Sequence, residues 1–422
     1  MKKLFLFLTA FVFFVHAFAK AQDLTLTLDE AVFISLRDNR DVLLKEEDVK
    51  KAKIKIAEAK AALLPEVNFT SNWADTRGYY LKDVSQFSNQ ASLRQYLYKG
   101  GKTVNTIEED KYKFAVAQAV LDKTKSELVL NIKTAFYSFV LANDFADLNK
   151  AIVENIKGHL EFIEARYKSG QSSESDVLKI QASLDSAKEV YEASLNQIDS
   201  SQILLNSLLY LDKDVKIKAA AKLDYEPVEI AYDKAFLKAM QDRPEIRLYE
   251  AQENADKKAI EAAKSGSRPN IYASWDYYSR STSSLTFSPS KGWQDYNVVG
   301  VTFSWPVFDG WATKAKVEQA ISGLKQTQLA RQKVIKDIAL EMANAWIVLK
   351  NSIAGIASVE SDIRVYNDNL LSVKDKYAQG IASSLDNSDA NLKYNIALFN
   401  KKQAVYDYIT AKNSFDKATG GM

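Results

Sequence analysis

Pro65-Glu66-Val67-Asn68-Phe69-Thr70-Ser71-Asn72-Trp73 and Pro269-Asn270-Ile271-Tyr272-Ala273-Ser274-Trp275-Asp276-Tyr277 decide the fold of this chain. In each, a proline ends a run of helix-forming residues, because its ring removes a backbone donor and crowds the preceding turn. Each then alternates. Val67, Phe69, Ser71 and Trp73 share one face against Asn68, Thr70 and Asn72; Ile271, Ala273, Trp275 and Tyr277 oppose Asn270, Tyr272, Ser274 and Asp276. A period of two is that of a β-strand. Returning strands follow, with Ala91, Leu93, Gln95 and Leu97 opposite Ser92 and Arg94, and Val301, Phe303, Trp305 and Val307 opposite Thr302 and Ser304. Alternation over about ten residues fits a barrel strand with one apolar and one polar face. It fits a half-buried hairpin of a soluble sheet equally well, and the aromatic residues tip the balance. Trp73, Trp275, Trp293, Trp305 and Trp311 lie in or beside these hairpins, joined by Tyr79, Tyr80, Tyr96, Tyr98, Tyr277, Tyr278 and Tyr296. Amphipathic rings at strand ends suit the interfacial girdle of a membrane barrel, and the Ser- and Thr-rich stretch 279–292 suits an outward loop.

The two stretches stand 204 positions apart, and the same offset relates Asn39-Arg40-Asp41-Val42 to Arg243-Pro244-Glu245-Ile246. Past the hairpins the offset becomes 210: Lys99-Gly100 matches Asp309-Gly310, Arg166-Tyr167-Lys168-Ser169-Gly170 matches Lys376-Tyr377-Ala378-Gln379-Gly380, and Asp176 matches Asp386. Such a constant register makes the chain two copies of one unit, residues 22–211 and 228–422, joined by a connector at 212–227. The repeat is far longer than a solenoid's. Each copy runs leading helix, hairpin, long helix pair. The leading helices are expected at 28–64 and 232–265, the hairpins at about 66–98 and 270–308, and the helix pairs at about 102–211 and 311–418.

The long helices are legible from what is missing. No proline lies between Pro65 and Pro227, and none follows Pro306. Both gaps are rich in the strong helix formers Ala, Leu, Glu, Lys and Gln. The stretch 102–168 contains only Gly158 as a weakener, and one helix of that length reaches about 100 Å. Its counterpart, 311–379, is interrupted by Gly323 and Gly355. Leu148, Ile152, Ile156, Leu160, Ile163 and Tyr167 recur at spacings of three and four, a seam for packing against neighbouring helices. Each long helix stops at a glycine, Gly170 or Gly380, the residue that takes a left-handed cap most easily.

Composition narrows function. Lys2 and Lys3 precede the apolar run 4–15, and Ala19-Lys20-Ala21 offers the small residues of a cleavage site. Residues 1–21 read as a cleavable signal peptide, with the mature chain starting at Gln22. Its apolar run of about 12 residues is too short to span a bilayer. Cleavage leaves 53 basic against 54 acidic residues, so no basic face for nucleic acid is expected. The absence of cysteine removes disulfides, thiol nucleophiles and lipid attachment after the cleavage site. Two histidines, His16 and His159, cannot build a metal or catalytic cluster; no cofactor, metal site or catalytic residue is expected, and His159 reads as structural. No later run approaches about 18 consecutive apolar residues. A membrane would be entered only as β-structure.

Two hairpins supply four strands, too few to close a barrel, and an open edge in lipid leaves backbone groups unsatisfied. Several chains must contribute, most simply in a ring. Two chains would give eight strands around a filled interior; three would give twelve, wide enough for a pore. The polar helices must project beyond the membrane.

Taken together, the sequence resembles the TolC-like outer-membrane efflux protein family over essentially all of the mature chain. The resemblance rests on the duplicated helix–hairpin–helix order and on Asp242-Arg243-Pro244-Glu245-Ile246. It rests also on the strand-to-helix junctions Leu97-Tyr98-Lys99-Gly100-Gly101 and Val307-Phe308-Asp309-Gly310-Trp311, and on the two tip motifs with Asp176 and Asp386. It implies a fold of α-helices plus membrane β-barrel: a homotrimer with a 12-stranded barrel in the lipid of the outer membrane and a long periplasmic α-helical tunnel. Such proteins are non-enzymatic exit ducts of tripartite efflux pumps or type I secretion systems, docking a periplasmic adaptor (membrane fusion) protein and an inner-membrane transporter.

The expected sites follow. The turns around Tyr167, Gly170 and Asp176, and Tyr377 and Gly380, are helix C-termini on their residues alone, and by resemblance the tunnel tip where adaptors dock. Tyr377 matches a family tyrosine that latches the closed tip, with Asp176 as its partner; Ala382 stands where some members carry a latching arginine. Asp386 and Asp389, three residues apart, share a helix face. They complement a helix dipole or, by threefold symmetry and resemblance, form an acidic ring at the pore constriction. The competing function is a secreted or surface-attached coiled-coil structural protein or adhesin, which explains the helices but not the duplicated amphipathic hairpins.

Overall fold

The computed structural model describes residues 24–79, 82–228, 231–281 and 292–421. The expected signal peptide and most of the 279–292 loop lie outside the described residues. The order of elements is β1 (Leu24–Leu26), α1 (Leu28–Asp38), α2 (Arg40–Ala61), β2 (Glu66–Tyr79), β3 (Lys82–Lys99), α3 (Lys102–Lys168) and α4 (Glu174–Leu209). The second repeat follows with β4 (Ile217–Ala219), α5 (Tyr232–Asp242), α6 (Pro244–Lys264), β5 (Asn270–Ser281), β6 (Trp293–Ser304), α7 (Ala312–Ala378) and α8 (Ser384–Ala418). The doubled helix–hairpin–helix order is therefore present, and α3 and α7 are unbroken helices of 67 residues each.

Three details differ from the expectation. Each leading helix is two helices, broken at equivalent positions. Asn39 breaks the first: its backbone is extended and its side-chain oxygen accepts from the amides of Asp41 and Val42, capping α2. In the second, Pro244 opens α6 and holds Arg243 extended at ψ 131°, as a residue before proline prefers. Secondly, β6 ends at Ser304, so Trp305 and Val307 lie beyond the strand; Pro306 brings no amide to continue the ladder. Thirdly, a bulge between Tyr96 and Tyr98 takes Leu97 out of the face it was expected to share with Leu93 and Gln95.

The chain divides into two compact units, each drawing on both repeats. Among the described residues, the first comprises 24–35, 131–225 and 355–407. Its buried residues include Ile132, Phe136, Phe139, Leu205 and Leu209, and a cluster of Leu160 and Ile163 from α3 with Ile180 and Leu184 from α4. The expected α3 seam is buried at Leu160 and Ile163, whereas Tyr167 is exposed. The 212–227 connector is more than a tether: its β4 pairs in parallel with β1, Leu24 opposite Ile217 and Leu26 opposite Ala219. Buried Asn206 organises its approach by donating to the carbonyl oxygens of Asp212, Lys213 and Val215.

The second unit comprises residues 36–130, 226–354 and 408–422. It contains one four-stranded antiparallel sheet in the order β2-β3-β5-β6. Below the sheet the unit is tied by a buried charge cluster. The Arg243 guanidinium, only 3% exposed, meets Glu245 at 3.1 Å and Glu341 at 2.6 Å. It also donates to the Ala418 carbonyl, and Lys417 meets Glu341 at 2.7 Å. The start of α6, the middle of α7 and the end of α8 are thereby joined.

Candidate functional site: the sheet faces and the helix tips

In the second unit, register assigns the faces of the sheet. Val67 pairs with Leu93, Leu93 with Trp275, and Trp275 with Val299, so one apolar row crosses all four strands. Phe69–Ala91–Tyr277 and Ala273–Val301 are the neighbouring rows. These side chains are bare: Val67 is 71%, Phe69 71%, Val299 79% and Val301 70% exposed. The other face carries Gln90, whose amide donates to Asp276 and to the Tyr278 hydroxyl. On it Tyr278 stacks on Tyr296 at 4.9 Å beneath the Arg280 guanidinium. Among the described residues, both edge strands, β2 and β6, have a partner on one side only. An exposed apolar face, a polar aromatic face and two open edges are the features of a sheet that closes only with further strands.

In the first unit, the two tip turns are built alike. After α3, the Gly170 amide donates to Tyr167 and the Gln171 amide to Arg166; after α7, Gly380 donates to Tyr377 and Ile381 to Lys376. This is the paired-bond C-terminal motif, closed by a glycine in the left-handed region at φ +76° and +75° respectively. The helix that follows is capped in the same way. Ser173 receives the Asp176 amide while Asp176 receives the Ser173 amide and hydroxyl; Ser383 and Asp386 repeat the exchange. Hydrogen bonds from Ser173 and Ser383 hold the Asp176 and Asp386 carboxyls below their ordinary range. Both acids thus have a local task as capping-box residues. The signal was present as Ser-x-x-Asp in both copies, a pattern the sequence reading passed over. Asp389 has a different partner, Lys393, at 2.9 Å one turn on.

Tyr377 is half-buried and packs against the Leu160–Ile180 cluster, bringing the end of α7 onto α3 and α4. Its ring meets His159 edge-on at 5.8 Å. His159, read as structural, has a buried Nε2 without a partner, and burial lowers its pKa. It lines a cavity of about 790 Å³ whose wall includes Asn387, Asn391 and Asn395, spaced four apart along one face of α8.

No side chain lies within 4 Å of a Cβ placed on Gly170, so substitution there acts through backbone conformation alone. Gly170→Val is expected to raise the free energy of the turn by about 1 kcal/mol or more, read as a lowered unfolding midpoint. An unchanged midpoint in this variant would make the turn a tolerant loop.

The outer membrane efflux protein family model matches residues 34–209 and 237–421. Among characterised proteins, the alkaline protease secretion protein AprF of Pseudomonas aeruginosa is 21% identical over 92% of this chain and 85% of its own length. The outer membrane protein TolC of Vibrio cholerae is 23% identical over 87% and 84%. A crystal structure of a membrane protein from Pseudomonas aeruginosa superposes with a TM-score of 0.81 at 18% identity, covering 93% of this chain and 92% of its own. With the family model matched over most of its length, the chain belongs to the outer membrane efflux protein family.

Proposed function

We propose that the protein is one of three identical subunits of an outer-membrane channel-tunnel that serves as the exit duct of an efflux pump or a type I secretion system. The observation that carries this reading is the four-stranded sheet with unpaired β2 and β6 edges and a bare apolar face. Pairing β6 of one copy with β2 of the next satisfies both edges, and three copies supply twelve strands around a pore. The tips at Gly170 and Gly380 are the surfaces for a periplasmic adaptor, which couples the duct to an inner-membrane transporter. The name of the AprF relative favours protein export and that of the family favours efflux, so the cargo is set by the transporter partner. The protein carries out no chemical reaction in this reading.

Asp386 and Asp389 are proposed to line the constriction. Threefold symmetry would bring six carboxylates together, and such rings favour cations. Lys393 offsets part of that field at Asp389, which leaves Asp386 the stronger contributor.

One experiment tests both statements. Purified full-length protein in detergent should have the mass of three chains and should form cation-selective channels in planar bilayers, blocked by a trivalent cation added on the periplasmic side. The double variant Asp386→Ala, Asp389→Ala should keep the mass and the channel but lose the block. A folded monomer in water would overturn the channel; identical block in the double variant would reduce both acids to helix-end residues.

A further inference from the structure

The two strand-to-helix junctions share an offset of 210 and their first glycine, but differ at the residue that follows it. In the first repeat the left-handed pair is Gly100 and Gly101, at φ +60° and +83°; in the second it is Gly310 and Trp311, at φ +66° and +68°. A tryptophan held there sits where its own Cβ is crowded and where glycine is the easy choice. A non-glycine backbone in this region raises the question of what the side chain does there. The indole it displays is 67% exposed.

What surrounds Trp311 is a built cleft of about 500 Å³. Phe308 meets the indole edge-on at 5.9 Å, and the Lys314 ammonium lies 5.6 Å from the ring centre. The walls are fixed. The Trp305 indole N–H donates to the Ser267 carbonyl at 3.1 Å, and Gly266 packs so closely on Thr313 that an added Cβ would stand 2.5 Å from its hydroxyl oxygen. The charged groups lining the cleft are Lys264, Lys314, Asp309 and Glu318, two cations and two carboxylates. Asp309 caps α7 through the Thr313 amide at 2.8 Å, Lys314 lies a loose 4.0 Å from Glu318, and Lys264 meets Glu261 at 2.7 Å. Val307, 83% exposed, lies next in sequence to the bare β6 side chains of Val299, Val301 and Phe303, on the face that the outer-membrane reading turns toward lipid.

We propose that this cleft binds the headgroup of a single phospholipid of the periplasmic leaflet, with phosphoethanolamine as the preferred headgroup. Lys264 and Lys314 face the phosphodiester, Glu318 and Asp309 take the primary ammonium, and Trp311 with Phe308 covers the glycerol and first methylenes, the depth tryptophan favours in a bilayer. The balance of charge decides the headgroup: two cations and two carboxylates match a zwitterion better than an anion. The carboxylates require N–H donors, which a trimethylated ammonium lacks. The proposal rests on the outer-membrane reading, because it places the cleft at the level of the inner leaflet.

Full-length protein in detergent is offered equal amounts of phosphatidylethanolamine, phosphatidylcholine and diacylglycerol with identical acyl chains, and retained lipid is counted by native mass spectrometry. Insertion of the same preparation into vesicles is measured alongside. Phosphatidylethanolamine should be retained about tenfold over the other two, a difference of one decade in affinity. Lys314→Glu and Trp311→Gly should both abolish the preference. The second variant installs the residue type used by the sister repeat, so it relieves backbone strain rather than adding it. Equal retention of the three lipids makes the cleft an apolar girdle and overturns the proposal, as does a preference unchanged in both variants. Absence of bound lipid together with loss of the oligomer in Trp311→Gly assigns the cleft to a second copy of the chain, also against it. Failure of the wild type to insert into vesicles would instead remove the outer-membrane reading itself.

Discussion

Replacing Arg243 with alanine is expected to destabilise the protein by about 3 kcal/mol, the lower end of the range for removing one partner of a buried ion pair. The guanidinium is almost fully enclosed and serves Glu245, Glu341 and the Ala418 carbonyl together. Without it, Glu245 is left as a mostly buried carboxylate with only the more distant charge of Lys417, while Glu341 keeps Lys417 in direct contact; that remaining cation is why the lower figure applies. Burial pushes both carboxyls up, but the hydrogen bonds and charge of Arg243, joined at Glu341 by Lys417, outweigh it and hold both below their ordinary range. A depressed carboxylate pKa stabilises the fold above the unfolded value of about 4.3 and loses that contribution as pH falls through the folded value. The margin of the wild type over Arg243→Ala should therefore shrink in acid. Urea unfolding midpoints at neutral and acid pH measure it. A neutral-pH difference below about 1 kcal/mol, the range of a surface pair, would make the cluster incidental.

Shifting one arginine by a single position along β6 should change its cost from large to small. Val299 stands in the bare apolar row, opposite Trp275, whereas Val298 lies on the other face, opposite Asp276. Val299→Arg is expected to cost about 2–4 kcal/mol, as for a cation near the midplane of a barrel's lipid face. Val298→Arg places its guanidinium on the polar face, which the proposed barrel turns toward its interior, opposite Asp276, and should fold nearly as well as the wild type. Refolding into vesicles against urea, with the heat-sensitive gel shift of a barrel as readout, separates the two. Equal penalties would mean that the sheet does not divide lipid from water.

What the sequence determined by itself was everything that chemistry at short range controls. The alternation at Val67–Trp73 and Ile271–Tyr277 marks strands because side-chain period is a local property. The repeats at offsets of 204 and 210 can be read off the residues without any structure. Gly170 and Gly380 announce their turns because only a few residues accept a left-handed backbone, and both take it. The breaks at Asn39 and Arg243, and the Ser-x-x-Asp caps at Asp176 and Asp386, are equally local, specified by a side-chain cap and an Arg-Pro step. Tertiary structure decided the rest. That β3 lies beside β5, with Gln90 reaching Asp276 across 186 positions, is a pairing between distant segments whose closure no local preference specifies. Strands of three residues such as β1 and β4 have too few side chains to carry a period, and exist only because the other is there. The same holds for Arg243 against Glu341 and for Tyr377 against His159. A buried charge and a half-buried ring take their meaning from what encloses them, and the enclosing groups arrive from parts of the chain that only the fold brings together.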